Sequence, residues 1–242
     1  MKKALPLLAL LILPLAGCDK SGKEAASASP APPGLPAELK SDAFDYYGLG
    51  NDKPVRLEIT SAEGAPPIIG TRAFSMGEVK DGKATFVEHQ TGALESQGDI
   101  TFSLEKDGLY VMSSSKTELK AHTLEMPAKL DVGGSWKDHT EMSPDGKKIV
   151  LDNDIKIERK ERVTTPGGTF DDALFISSTG QGTIEGKPVT LTTKSWYVRG
   201  MGPVKQIEEV VTKGEPKRII SIQLAAPEKP EAATTAPGEA KK

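Results

Sequence analysis

Cysteine is almost absent from this chain: Cys18 is the only one in 242 residues. The chain therefore forms no intramolecular disulfide, and a lone thiol in an exported protein calls for another explanation. Aromatic residues make up only 5%, with two tryptophans, which is few for a surface that stacks sugars. Basic residues show no excess either, because the net charge is −3. A nucleic-acid partner is thus not expected, since such partners require a basic stripe.

The chain has one apolar run, Leu5 to Leu15, which Pro6 and Pro14 interrupt. At about ten residues this run is shorter than the roughly 20 helical residues that cross a bilayer. It follows Lys2 and Lys3, and a basic start before a short apolar stretch is typical of a cleaved signal peptide. Removing the signal removes both lysines, which takes the net charge from −3 to −5. This acidity also disfavours electrostatic binding to anionic lipid.

The apolar run ends in Leu15-Ala16-Gly17-Cys18, which resembles the lipobox of bacterial lipoproteins. The resemblance implies a signal peptide over residues 1–17 and a mature chain that begins at Cys18, acylated by three chains including palmitate. Acyl chains bury enough methylene groups to hold a protein on a bilayer. We therefore expect a lipid-anchored protein of the bacterial envelope, with its domain in the periplasm. Asp19 resembles an inner-membrane retention signal, but Lys20 follows it, so either membrane fits.

Two segments have the composition of unfolded chain. Residues 18–38 and 225–242 are rich in alanine, proline and small polar residues and contain few large apolar groups. Such segments bury too little surface to offset the entropy of ordering. We predict a tether over 18–38, a β domain over 39–224 and a disordered tail over 225–242.

Alternating apolar and polar residues dominate the predicted domain. Val55, Leu57 and Ile59 share one face of a strand, and a longer row runs from Ile149 through Leu151, Asn153 and Ile155 to Ile157. This period of two predicts antiparallel strands with one wet and one dry face.

Turn residues separate these alternating runs. Asp81-Gly82, Asp107-Gly108 and Asp145-Gly146 are typical of hairpin turns, as are Glu185-Gly186 and Lys213-Gly214. The one short helix expected lies around Pro36 to Phe44 or Lys116 to Leu124.

These patterns predict an all-β fold of roughly ten to twelve strands, mostly joined by hairpins. An antiparallel meander of this kind must hide its edges, so we expect a curved sheet, a partly open barrel or a sandwich. A short similarity between Tyr46–Gly50 and Leu130–Trp136 hints at two related β halves, 39–127 and 128–224.

Three motifs in the second half carry a family resemblance. They are Leu130–Trp136, Thr165–Leu174 and Trp196–Lys205. Together they are similar to a TapB-like family of bacterial envelope lipoproteins of unknown function, over about Lys129 to Leu224. The resemblance implies an all-β fold and an envelope location. It supplies no catalytic residues.

Few residues are arranged for chemistry. Ser113 and Lys116 have the S-x-x-K spacing of penicillin-recognising enzymes, but the other motifs of those enzymes are missing. His89, His122 and His139 are not at zinc-ligand spacing. We therefore expect surface positions for these residues, and neither a metal nor a cofactor.

Two further patterns superficially suggest ligand sites. Asp152-Asn153-Asp154 begins like a calcium loop, but Ile157 stands where the turn glycine belongs. Alternation instead places Asp152 and Asp154 on the wet face of a strand. The glycines at 180, 182 and 186 with Lys187 do not fit the phosphate-loop spacing and predict a hairpin tip.

The sequence thus predicts a membrane-anchored, non-enzymatic module that binds an envelope protein or serves structurally. The alternative is a periplasmic carrier for an apolar small ligand or lipid, since β barrels of modest size hold one small molecule. An enzyme is the least favoured class. The membrane, reached through the acyl chains on Cys18, is the one partner that a motif indicates.

Overall fold

The structure is a computed structural model that describes residues 31–61, 66–120, 122–144 and 146–228. Cys18, the predicted signal peptide, most of the predicted tether and the end of the predicted tail lie outside these residues. The described chain has one short α-helix, α1 (Asp42–Tyr47), and two 3₁₀ turns, Ala37–Leu39 and Glu95–Gln97. The strands are β1 (Val55–Thr60), β2 (Ile68–Lys80), β3 (Lys83–Gly92), β4 (Ile100–Leu104), β5 (Gly108–Ser114), β6 (Thr117–Leu119), β7 (Thr123–Pro127), β8 (Ser135–Pro144), β9 (Ile149–Thr165), β10 (Gly168–Ile184), β11 (Lys187–Val198), β12 (Gly202–Thr212) and β13 (Arg218–Leu224).

All 13 described strands belong to one open, curved antiparallel sheet, which confirms the predicted all-β class. Their order is β6-β8-β9-β10-β11-β12-β13-β1-β2-β3-β4-β5-β7. Apart from β6, which pairs with β8, the strands before residue 128 and those after it form two groups of neighbours, and the β13–β1 ladder joins the groups. Because both groups contribute to one hydrophobic core, they fold as a single sheet. The relationship between two β halves, 39–127 and 128–224, stays a prediction.

Hairpin turns form where Asp-Gly or Glu-Gly pairs predicted them. Asp81 and Gly82 have φ values of 50° and 75° between β2 and β3, and Glu185 and Gly186 have values of 51° and 77° between β10 and β11. Positive φ at both central residues matches the right-handed twist of the flanking strands. These turns set the register of the β2–β3 and β10–β11 ladders.

The two ends of the sheet are joined by the segment that follows β5. β6 pairs with β8 at one end of the strand order, and β7 then returns to pair with β5 at the other end. Bonds from Lys120 N–H to Glu141 O (2.8 Å) and from His122 N–H to Val111 O (2.9 Å) fasten this crossing. Lys116 to Leu124, one of the two places considered for a helix, is therefore in this crossing. Within the described strands β7 has a ladder on one edge only, so a seam separates it from β8.

The space inside the curve is closed at one end by apolar packing around α1. Phe44, Phe86 and Phe102 are fully buried there. Tyr47 packs edge-on against Phe102, with ring centroids 5.2 Å apart. The large apolar side chains of this layer contribute about 1.5–3 kcal/mol each by leaving water, so this end of the shell is the main stabilising core.

α1 is fixed to the sheet by ion pairs and by a close backbone approach. Arg199, in the turn between β11 and β12, pairs with Asp45 and lies 2.6 Å from Asp42 Oδ1. Gly48 ends the helix with φ of 78°, and a Cβ there would lie 2.7 Å from the backbone of Met201 and Gly202. A larger residue at Gly48 would therefore push the helix out of the shell.

The ordered domain extends slightly past both predicted limits. Leu35 packs against the main core, ahead of the predicted start at residue 39. Ala225 is buried, and its N–H donates to Arg56 O at 2.9 Å. Among the described residues there is no helix with the length and apolar character needed to cross a membrane.

Candidate functional site

A cavity of about 230 Å³ lies inside the curve of the sheet, beside the seam between β7 and β8. Its lining combines two acids, two aromatic residues, six neutral polar residues and four aliphatic ones. They are Glu125 and Asp138; Trp136 and Tyr197; Thr140, Asn153, Ser178, Thr193, Ser195 and Gln206; and Leu124, Ile155, Ile176 and Leu191. Among the described residues, the lining contains no lysine, arginine, histidine or cysteine. Its only charged groups are therefore carboxylic acids.

The polar lining follows from strand alternation. Trp136, Asp138 and Thr140 share one face of β8, and they stand opposite Ile155, Asn153 and Leu151 of β9. The side chains of one strand face point the same way, so this face carries a stripe of polar groups into the interior. The apolar core around α1 thus gives way to a polar layer farther along the sheet.

Asp138 is the most constrained acid of the cavity. Its Oδ2 accepts from Thr140 Oγ1 (2.6 Å) and from Asn153 Nδ2 (3.0 Å). Its Oδ1 is buried and has no hydrogen-bond partner among the described residues. Gly180 faces Asn153 across the β9–β10 ladder, and a Cβ there would lie 2.2 Å from Asn153 Oδ1. The glycine leaves room for Asn153 to hold Asp138 in place.

Glu125 reaches the cavity from β7. Burial, the nearby Asp138 and Glu88 raise the pKa of Glu125 to about 7, although a hydrogen bond from Tyr47 acts in the opposite direction. Glu125 is half-buried, because protein surrounds it except where it borders the cavity. Burial without a cationic partner penalises the charged form of a carboxyl group. Glu125 therefore exchanges a proton near neutral pH.

A donor also lacks a partner. The indole Nε1 of Trp136 is buried and donates to no described atom. More than nine in ten buried polar groups in folded proteins have a hydrogen-bond partner. Seven buried side-chain atoms of the described residues lack a partner, and two of them, a donor on Trp136 and an acceptor on Asp138, belong to side chains that line this one cavity.

A second set of buried polar side chains lies beyond the cavity, on β2 and β3; it consists of Arg72, Glu88 and Gln90. Arg72 Nη2 donates to the carbonyl oxygens of Met201 and Pro203, each at 3.4 Å. Gln90 Nε2 donates to Glu88 Oε1 at 2.8 Å. Burial raises the pKa of Glu88, with Arg72 and Gln90 opposing that shift. Arg72 acts electrostatically on Glu88, its Nε has no partner among the described residues, and it is not among the groups that shift the pKa of Glu125.

The residues examined for chemistry in the sequence lie apart on the surface. Ser113 and Lys116 are exposed, and Lys116 Nζ donates to Glu95 O at 2.7 Å. The three histidines pair with different acids, His89 with Asp99 (3.0 Å), His122 with Glu105 (3.0 Å) and His139 with Asp152 (2.7 Å). No group of three or more potential metal ligands occurs in the described part of the chain.

The remaining sequence patterns have structural roles. Asp152 and Asp154 are exposed on β9, as alternation predicted, and Asp154 pairs with Lys137 at 2.6 Å. Asn153 between them turns inward and lines the cavity. Lys187 sits just after the β10–β11 turn and pairs with Glu215 at 2.9 Å, which confirms the predicted hairpin tip.

The structure also brings together Ser75, His89 and Asp99, which no sequence motif indicated. Ser75 Oγ lies 2.9 Å from His89 Nε2, and His89 Nδ1 lies 3.0 Å from Asp99 Oδ2. The order of atoms matches a hydrolase triad. All three groups are substantially exposed to water on β2, β3 and the residue before β4, and none of them lines the cavity beside the seam. We therefore assign them as a surface hydrogen-bond chain.

The fold and the cavity together define the class of this protein. It is a single curved antiparallel sheet with a small polar cavity inside the curve, and a short helix closes one end. The chain belongs to the DUF3108-like family, whose model matches residues 77–215. The match begins at residue 77, so it includes part of the half that the sequence resemblance left out. The narrower TapB-like assignment stays a prediction.

Two solved structures share the fold. One is a protein from Bacteroides fragilis, inferred to be exported and described with a YmcC-like fold (TM-score 0.51, 10% identity, 76% of this chain and 99% of that chain covered). The other is from Parabacteroides distasonis and is inferred to be a lipoprotein (TM-score 0.51, 13% identity, 75% and 97% covered). At such low identity these likenesses establish the fold alone. No curated protein matches the chain.

Proposed function

We propose that this chain is a lipid-anchored envelope protein whose β domain is a non-enzymatic binding module for a small polar molecule. The observation that carries the proposal is the cavity beside the β7–β8 seam, with a buried donor and a buried acceptor that lack partners. An unpaired buried polar group costs about 1–3 kcal/mol. A ligand that pairs both groups recovers that free energy on binding.

The size of the cavity limits the ligand. At about 30 Å³ of liquid volume per water molecule, a volume of about 230 Å³ is equivalent to about eight waters. Pockets for drug-sized ligands hold about 300–1,000 Å³. The ligand is accordingly a small solute, and a full acyl chain is too large.

The lining favours a polar ligand over the apolar one considered from the sequence. Ten of its 14 residues are polar, charged or aromatic with a polar atom. An apolar guest would leave Asp138 Oδ1 without water or a partner, which is costly. If the domain is a carrier, its ligand is therefore a molecule that makes hydrogen bonds and not an apolar one.

The non-enzymatic assignment is supported by what lines the cavity. Ser178 and Ser195 lie there, but neither histidine nor lysine is present in the lining to act as their base. A serine hydroxyl is a weak nucleophile unless such a group activates it.

The envelope location is supported by the lipobox-like sequence ending at Cys18. Two fold neighbours inferred to be an exported protein and a lipoprotein agree with it. An anchored domain on a polar tether would keep a binding site close to the membrane surface. An envelope protein partner stays a prediction.

Native mass spectrometry of the full chain, extracted from bacterial envelopes in mild detergent, tests this function. We expect a small additional mass on the wild type and on Asp152→Asn, whose side chain points to solvent from the strand that carries Asn153. The additional mass should be reduced on Asp138→Asn. Detection of only the bare acylated chain in all three samples would overturn the proposal.

A further inference from the structure

We propose that the cavity recognises a primary ammonium group, so that its ligand is a small organic cation. This ligand class rests on the proposed binding function and narrows it. It comes from the charges of the lining, which contains Glu125 and Asp138 and no cationic side chain. Carboxylates enclosed without a cation are destabilised, and a cation placed between them removes the penalty.

The free acceptor defines where the cation binds. Asp138 Oδ2 already accepts two hydrogen bonds, whereas Oδ1 accepts none. An ammonium group has three N–H donors and no acceptor. Asp138 Oδ1 is buried, so the carboxylate must turn toward the cavity for one N–H of the ligand to pair with it, while a second N–H points to Glu125 across the seam.

The aromatic residues of the lining suit the same ligand. Trp136 and Tyr197 border the cavity together with the two acids. Aromatic faces attract cations, most strongly where water is excluded. The indole N–H of Trp136 has no partner among the described residues, so it can donate to an acceptor elsewhere on the ligand, such as a hydroxyl group. A molecule with an ammonium group at one end and a hydroxyl at the other satisfies both groups.

Binding should depend on pH through Glu125. The groups that influence its ionisation come from four other elements: Asp138 of β8, Glu88 of β3, Tyr47 of α1, and Tyr197 of β11 through its own coupling to Glu125. Arg72 of β2 acts on Glu88 and the two tyrosines. A cation binds the ionised form of Glu125, so affinity should rise with pH and level off above about 7.

The test uses three compounds of equal length that differ at one terminus. 4-Aminobutan-1-ol carries an ammonium group, butane-1,4-diol is neutral and 4-hydroxybutanoate is an anion. Isothermal titration calorimetry with the full chain in detergent measures Kd for each. We expect the amino alcohol to bind at least about tenfold more tightly than the diol, because one charge-assisted hydrogen bond contributes about 1.5–3 kcal/mol, and tenfold is about 1.4 kcal/mol. The anion should bind worst.

Variants locate the effect. Asp138→Asn and Glu125→Gln should each remove most of the preference for the amino alcohol, while Asp152→Asn should keep it. Far-UV circular dichroism verifies that each variant is folded. The affinity of the wild type should fall by about tenfold for each pH unit below about 7.

Two results would overturn the ammonium assignment. If the diol or the anion binds the wild type as tightly as the amino alcohol, the ligand class is wrong, while the proposed binding of a polar molecule stands. If none of the three compounds binds, the ammonium assignment is again wrong, and the mass-spectrometry experiment above decides separately whether the cavity holds another ligand.

Discussion

Replacing Glu125 by glutamine should stabilise the domain, and more so at high pH. The pKa of Glu125 is raised from 4.5 to about 7 in the folded domain. Because the folded state favours the protonated form, no penalty exists well below pH 4.5, and the penalty grows as pH rises through about 7. A shift of this size corresponds to about 3 kcal/mol, at about 1.4 kcal/mol per pH unit.

Glutamine is uncharged at every pH, keeps the shape of the acid and still accepts a hydrogen bond from Tyr47. We therefore expect Glu125→Gln to raise the free energy of unfolding by about 3 kcal/mol near pH 8.5 and by about 1 kcal/mol or less near pH 5. Urea unfolding at both pH values measures the difference, because the midpoint and the slope together give the free energy.

Glu141→Gln is the matched control on the neighbouring strand β8. Glu141 is half-buried, and a hydrogen bond from Lys148 lowers its pKa, so its replacement should not stabilise the domain at high pH. If Glu125→Gln proves neutral or destabilising at both pH values, Glu125 is not enclosed beside Asp138, and the reasoning about the cavity charges fails with it.

Three further substitutions test other parts of the account. Cys18→Ala should abolish labelling by a fatty-acid probe and move the chain out of the membrane fraction; unchanged labelling would show that the lipobox resemblance misleads. Arg199→Ala should lower the free energy of unfolding by about 2–3 kcal/mol, since it leaves Asp45 buried without its partner; a loss below about 0.5 kcal/mol in urea unfolding would mean that α1 is held by packing alone. Gly180→Ala should cost about 1–3 kcal/mol and weaken binding of 4-aminobutan-1-ol, because its Cβ displaces Asn153; unchanged calorimetric affinity would count against the proposed role of Asn153.

Local rules were sufficient to predict most of the strands, although roughly ten to twelve were expected and 13 are described. The alternation at Val55 to Thr60 and Ile149 to Ile157 and the turn pairs at Asp81-Gly82 and Glu185-Gly186 depend on neighbours in sequence, and all appear where expected. The segment from Lys116 to Leu124 was ambiguous for a physical reason. It contributes to two short strands that pair with opposite ends of the sheet, and only the closure of the whole sheet decides that arrangement.

The cavity was harder to foresee because it depends on curvature. Glu125 and Asp138 come from strands at opposite ends of the strand order, and they meet only because the sheet curls until β7 faces β8. One local signal was available. Asn153 stands in the predicted dry row between Leu151 and Ile155, and a polar residue in a buried row needs partners. Its partners, Asp138 and Thr140, are two of the lining residues.

The indole N–H of Trp136 offers the most direct test of the central claim that the interior is a binding site. The chain has two tryptophans, so Trp196→Phe leaves Trp136 as the single indole signal in a ¹⁵N–¹H NMR spectrum. Trp196 packs on Phe175 and donates to Glu161, and it does not line the cavity. Addition of 4-aminobutan-1-ol should shift the Trp136 signal in a saturable way, and Asp138→Asn should suppress that shift. A Trp136 signal that stays unchanged while calorimetry shows the amino alcohol bound would contradict the claim that this interior is the binding site.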